Sequence, residues 1–198
     1  MSELVKNKLT VLLAILALLL SACGGTDQPR PRGYFRIDLP EKGFIAFDSV
    51  AAPFTFEYPV YGRVTPSDER NPEPWWFNIE FKEYRAKLHI SYKSVDGNLS
   101  SLLEDAYSLT YNHTIKADAI RETVYSNEED RKSGLLYDLK GNTATAVQFW
   151  LTDSSKHFLR GSLYFYSAPN EDSLKPVIDF FREDIVHLME TVRWKYSD

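Results

Sequence analysis

Cysteine is almost absent from this chain: Cys23 is the only one in 198 residues. A single thiol excludes an internal disulfide and any metal centre built on several thiolates, so packing must hold the fold together. Histidine is sparse too. His89, His113, His157 and His187 stand far apart, with no helical zinc spacing and no His-Glu-x-x-His motif, so metal catalysis finds no support. No glycine-rich loop precedes a helix to cradle phosphate, and Gly161-Ser162 lacks the second glycine of a nucleophile elbow. Acidic residues are plentiful, but nothing in their spacing gives an address for a catalytic pair. No catalytic, cofactor-binding or metal-ligating residue is therefore assigned. Basic residues are in deficit, 23 against 28 acidic ones for a net charge of −5, which argues against nucleic acid as a partner. The longest greasy run, Leu9 to Leu20, reaches roughly 18 Å as a helix against a hydrocarbon core of about 30 Å, too short for a permanent crossing.

What that run does have is the layout of an export signal. Lys6 and Lys8 precede it, and it ends in Leu20-Ser21-Ala22-Cys23, a lipobox whose small Ser21 and Ala22 admit a peptidase to the bond before Cys23. Residues 1–22 read as a lipoprotein signal peptide and Cys23 as the lipidation site. A diacylglyceryl group on its sulfur makes the lipid membrane the first expected partner. Residues 23–33 are the lipidated cysteine and a Gly/Pro tether, flexible at Gly24-Gly25 and extended at Pro29-Arg30-Pro31-Arg32. So short a tether holds Arg30, Arg32 and Arg36 near the surface, where anionic headgroups are worth about 1 kcal/mol per cation. The alternative is a solvated linker.

Residues 34–198 suit a single globular domain. Phe54, Phe56 and Tyr58 share one parity, as do Phe77, Ile79 and Phe81, and again Leu88, Ile90 and Tyr92, the mark of strands with one buried face. Lys82-Glu83-Tyr84-Arg85 reads as a hairpin turn and Thr65 to Pro74 as an exposed loop. After Asn98 a helix is expected, burying Leu99, Leu102, Leu103 and Ala106, its face extended by Tyr107, Thr110 and His113. His113 then reads as a packing histidine. Strands are expected at Ile120 to Tyr125, Leu135 to Leu139, Thr143 to Leu151 and His157 to Tyr166, with turns at Gly141-Asn142 and Asp153-Ser154-Ser155. A second helix from about Ser173, with Pro176 in its first turn, presents Leu174, Val177, Ile178, Phe181, Ile185, Leu188, Met189 and Val192. The order predicts an α+β fold, a mainly antiparallel β-sheet covered by two helices.

Two stretches invite a functional reading. The charge run Glu128 to Lys132 reads as a solvated loop. In Trp75-Trp76-Phe77 adjacent side chains point to opposite faces, so one large ring leaves the core face. Trp76 is the candidate, either covered by a helix or loop or exposed in a partner-binding patch.

The segments Pro29 to Asp38, Trp76 to Ile79, Lys87 to Lys93, His113 to Ile120, Tyr137 to Ala144 and Thr152 to Phe165 resemble the gliding motility lipoprotein GldD family over nearly the whole exported chain. The resemblance implies a membrane-anchored lipoprotein required for bacterial gliding motility. It implies a non-enzymatic docking or assembly component, with other gliding-motility lipoproteins and secretion components as partners. At fold level the order of elements is similar to the α/β/α sandwich of PsbP and Mog1 proteins. Gly24 follows Cys23 where a retention signal often places Asp, so the anchor is expected in the outer membrane, facing the periplasm. The competing reading is a cell-envelope small-ligand carrier or hydrolase, which requires a deep pocket with clustered titratable groups.

Overall fold

The computed structural model describes residues 6–8, 37–112, 117–166 and 171–195. The chain divides into two units, Met1–Phe35 and Arg36–Asp198, and the elements named here belong to the second. Leu20, Ser21, Ala22, Cys23, Arg30, Arg32, Arg36 and His113 lie outside the described residues.

The alternating segments are strands: β1 (Phe44–Phe47), β2 (Phe54–Pro59), β3 (Arg63–Pro66), β4 (Phe77–Phe81) and β5 (Ala86–Ser94), followed by helix α1 (Leu99–Asn112). Then come β6 (Ala117–Asn127), β7 (Lys132–Gly141), β8 (Thr145–Thr152), β9 (His157–Phe165), helix α2 (Glu171–Thr191) and β10 (Arg193–Trp194). A seven-stranded sheet has the order β3-β4-β5-β9-β8-β7-β6, and a three-stranded sheet the order β1-β2-β10. Every pairing is antiparallel. The chain leaves β5, passes through α1 and re-enters the large sheet at its far edge as β6, then returns strand by strand until β9 closes against β5.

One face of the large sheet carries the main core. Ile79, Ile90, Leu151, Leu159 and Leu163 are fully buried there against Val177, Phe181, Ile185 and Leu188 of α2 and Phe54 and Phe56 of β2. The rings of Phe47, Phe56 and Phe77 stack at 4.9 and 5.1 Å, spacings at which aromatic pairs add about 0.5–1.5 kcal/mol beyond their buried area. At Gly161, opposite Phe149 in the β8–β9 ladder, an added Cβ would lie 2.1 Å from the Phe149 ring. That glycine makes room for an aromatic ring. The opposite face carries α1, whose Leu102 and Ala106 pack on Phe158. The two helices thus cover opposite faces of an antiparallel sheet, and the α+β expectation holds.

Differences from the expected elements have local causes. Thr65 and Pro66 complete β3 rather than open the loop; an edge position suits Pro66, which lacks a donor. Tyr107 does not join the buried face of α1. It is 53% exposed and stacks on Tyr111 at 4.1 Å. Helix α2 starts at Glu171, so Pro176 sits in its second turn rather than its first; it forfeits a single ladder bond near the start of a helix that packing holds over the rest of its length.

The charge run also differs. Lys132 is buried, and its ammonium donates to the carbonyls of Met189 and Glu190 at 3.2 and 2.7 Å, with Asp130 at 3.3 Å. It closes the C-terminal end of α2, where unsatisfied carbonyls attract a cation. Lys132 is thus an internal tie, while Glu128, Glu129 and Arg131 stay exposed, as expected of a solvated run.

The turn between β8 and β9 shows how a carboxylate can organise a backbone. Asp153 Oδ1 accepts from the N–H groups of Ser155, Lys156 and His157 at 3.0, 2.8 and 2.8 Å. Burial pushes this carboxyl up, but the three backbone donors outweigh it and hold the pKa at about 2. A depressed folded pKa stabilises above the unfolded value of about 4 and fades as pH falls through about 2. Asp153→Ala should cost about 1–2 kcal/mol at neutral pH. Urea unfolding of both proteins from pH 5 down to 2 should show the gap between them narrowing; a gap independent of pH would refute the assignment.

Candidate functional site

Sequence alternation places His89, Ser91 and Lys93 of β5 on the face opposite Leu88, Ile90 and Tyr92, and Phe158, Arg160 and Tyr164 of β9 fall on that same face. Helix α1 crosses it but leaves an open cleft of about 550 Å³ between its Leu102, Asp105 and Leu109 and the strands. Trp76 and Glu69, from the β3–β4 connection, close the other side.

Trp76 is held there by its neighbours. Its Nε1–H donates to the Tyr92 carbonyl at 3.0 Å, its ring meets His89 edge-on at 6.1 Å, and the Lys93 ammonium lies 5.3 Å from the ring centroid while pairing with Glu73. Trp75 adopts a left-handed φ of 66°, a conformation a bulky residue rarely takes. This turn lets Trp75 and Phe77 both pack on the main core while Trp76 faces the cleft.

His89 Nδ1 lies 3.0 Å from Asn78 Oδ1. The Asn78 amide donates to the Pro66 carbonyl and to Asp68 at 3.3 and 3.2 Å, so its oxygen faces the ring and the proton belongs on Nδ1. Burial pushes the His89 pKa down, which keeps the ring neutral at pH 7.

Deeper in the cleft stands Arg160. Its guanidinium donates to Gln148 Oε1 at 2.7 Å. Gln148 is fully buried, its Nε2 donates to Thr145 at 2.7 Å, and its Oε1 also receives Ser162 at 3.3 Å. Burial pulls the Arg160 pKa down, and the charges acting on it most are the phenols of Tyr164 and Tyr137. Among the described residues, no carboxylate comes within ion-pair distance of it.

A smaller cleft of about 260 Å³ lies between α2 and the strands β6 to β8. Two ion pairs lie on its walls, beside Arg121 and Lys140. Arg182 grips Asp138 with two bonds of 2.6 and 3.0 Å, and Lys175 meets Asp179 at 2.6 Å. These pairs tie α2 to β7 and brace the helix surface.

Of the candidate lipidation and interface residues named from the sequence, Trp76 alone lies among those described, and it lines the larger of the two clefts described above. Arg160, His89 and Gln148 were not assigned a role from sequence. The available signal was Arg160 itself, a charge in mid-strand between Leu159 and Leu163 at the parity of Phe158. Among the described residues no cluster of His, Cys, Asp and Glu is arranged to hold a metal ion, and no helix is long and apolar enough to cross a membrane.

No curated protein matches the chain in sequence. Among solved structures, the cyanobacterial PsbP protein (CyanoP) of Synechocystis sp. PCC 6803 aligns with a TM-score of 0.46 at 10% identity, over 81% of this chain and 97% of that one. The family model described as gliding motility lipoprotein GldD matches residues 24–194, a span containing the ten strands and two long helices found among the described residues, and the chain belongs to that family.

Proposed function

We propose that this gliding motility lipoprotein works as a non-enzymatic docking component. Acylated Cys23 fixes it to the periplasmic face of the outer membrane, and the α1-side cleft receives a partner from the gliding and linked secretion machinery. Trp76 at the cleft wall is the observation that carries this reading. It is a large ring held by one backbone bond on the face away from the main core, in the kind of pocket where aromatic anchors dominate binding energy.

Deletion of the protein is expected to abolish gliding and lower the levels of other gliding components. Trp76→Ala should weaken partner capture in cells by about 30-fold or more, the equivalent of roughly 2 kcal/mol for an anchor residue. Its thermal midpoint should fall by only a few degrees, because the main core lies on the other face. Normal spreading by deletion cells, or full capture by a folded Trp76→Ala protein, would refute docking at this cleft.

The small-ligand reading keeps one favourable observation. A cleft of about 550 Å³ falls within the range of small-molecule sites and has Arg160, His89, Asp105 and Glu69 on its walls. Native mass spectrometry of protein purified from its own cells, showing a stoichiometric bound metabolite, would favour it over docking.

A further inference from the structure

Of the charges lining the cleft, Lys93 is paired with Glu73, whereas Arg160, Asp105 and Glu69 have no ion-pair partner among the described residues. Arg160 is half-buried, and among the described residues its guanidinium bonds to the neutral carbonyl oxygen of Gln148. Removing an ion from water without a counter-charge is costly, and a guanidinium that uses one bond here retains donors in the planar fork that fits a carboxylate. Nearer the surface, Asp105 on α1 and Glu69 on the β3–β4 connection line the same cleft. Neither carboxylate has a cation within ion-pair distance among the described residues. Leu102, Leu109 and Phe158 give the same cleft an apolar wall.

The complement of this arrangement is a ligand with one anionic group at its inner end, an apolar body and a cation further out. A wholly acidic ligand is disfavoured by Asp105 and Glu69, and a wholly basic one by Arg160. From this geometry we propose that the cleft receives the C-terminal end of a partner protein, its free α-carboxylate seated on Arg160, its last side chain on the apolar wall, and a basic residue upstream facing Asp105 and Glu69. Capture of a chain end by its carboxylate is an established recognition mode. The proposal rests on the reading that this cleft is the docking site, and it adds the chemistry of what enters.

An Arg held for a ligand differs from one held for the fold. Arg160→Met keeps the apolar stem and removes the uncompensated charge, so the thermal midpoint of the full-length protein in detergent should stay level or rise. The binding probe is the labelled hexapeptide Ala-Ala-Gly-Lys-Ala-Leu with a free carboxylate, compared with its C-terminal amide. The acid is expected to bind wild type at least tenfold more tightly than the amide does, and Arg160→Met should remove that difference. Exchange of Lys for Glu in the peptide should weaken binding further.

Equal binding of acid and amide would overturn the proposal, as would a fall of many degrees in the midpoint of Arg160→Met. If inorganic phosphate or acetate raises the wild-type midpoint as much as the peptide does, the site is a simple anion seat and the chain-end assignment falls. Partner capture that depends on Trp76 but not on Arg160 would leave docking standing and remove this inference alone.

Discussion

Cys23→Ser is expected to move the protein almost completely from the membrane fraction to the soluble fraction, or to leave uncleaved precursor. The oxygen of serine is not a substrate for the thioether-forming acylation that the lipobox signals, so the change removes the anchor at its point of attachment. Each buried methylene of an acyl chain contributes about 0.8 kcal/mol, and stable attachment needs two chains or one chain plus a basic patch. Without the lipid, the membrane contacts expected of Arg30, Arg32 and Arg36 would be worth about 1 kcal/mol each and would be screened by salt. No helix among the described residues offers a substitute span. Fractionation of cells with mass spectrometry of the mature N-terminus checks this. An unmodified Cys23 in wild type, or unchanged membrane retention of a serine variant that has been cleaved to the mature length, would refute the anchor.

Asp184→Ala should be among the strongly damaging single changes inside the globular domain. Asp184 is 3% exposed on a helix face otherwise made of apolar side chains. Its Oδ1 receives the Lys42 ammonium at 2.6 Å and its Oδ2 the Tyr61 hydroxyl at 2.6 Å. Burial pushes the carboxyl up, while Lys42 and Tyr61 pull the other way; the Tyr61 phenol is driven far above its ordinary value, first by its own burial and then by Asp184. Lys42 also donates to the Phe180 carbonyl at 2.7 Å and covers the Phe180 ring at 3.5 Å. One carboxylate thus pins the segment before β1 and the turn after β2 to the middle of α2.

Removing one partner of a buried pair costs about 3–5 kcal/mol because the other is left uncompensated. For a domain of this size that lowers the thermal midpoint by roughly 10 °C. Asp184→Asn, which retains an acceptor for the Tyr61 hydroxyl, should lose less. In a double-mutant cycle, adding Lys42→Met to Asp184→Ala should cost less than Lys42→Met does alone, because its charge no longer has a buried partner. Strict additivity would show that the contact is not energetically coupled.

The same residue shows where reading the chain as a string stops. The apolar stripe of α2 from Val177 to Val192 was plain from its spacing, and Asp184 lies within that stripe. Nothing local tells that its partners are Lys42 and Tyr61, more than a hundred positions away. Lys132 is a parallel case. In a run of five charged residues it reads as solvated, yet it folds onto the end of a helix 57 positions further on. Trp76 was legible as the odd ring in Trp75-Trp76-Phe77 because alternation sets neighbours apart, although the structure achieves this through the left-handed turn at Trp75 just ahead of β4. That it faces a cleft was not, because the cleft exists only where α1 fails to cover β5 and β9.

Linear sequence by itself determined the family, the expectation of an acylated Cys23, the two amphipathic helices and the strands, because export signals, side-chain period and turn chemistry are all written within a few residues. Tertiary structure alone decided that β2 leaves the large sheet to pair with β1 and β10, that the helices take opposite faces, and that Arg160 stands without a counter-charge. Those outcomes depend on which surfaces meet and how much water they exclude, and burial of a charge is a property of the assembled neighbourhood rather than of any segment.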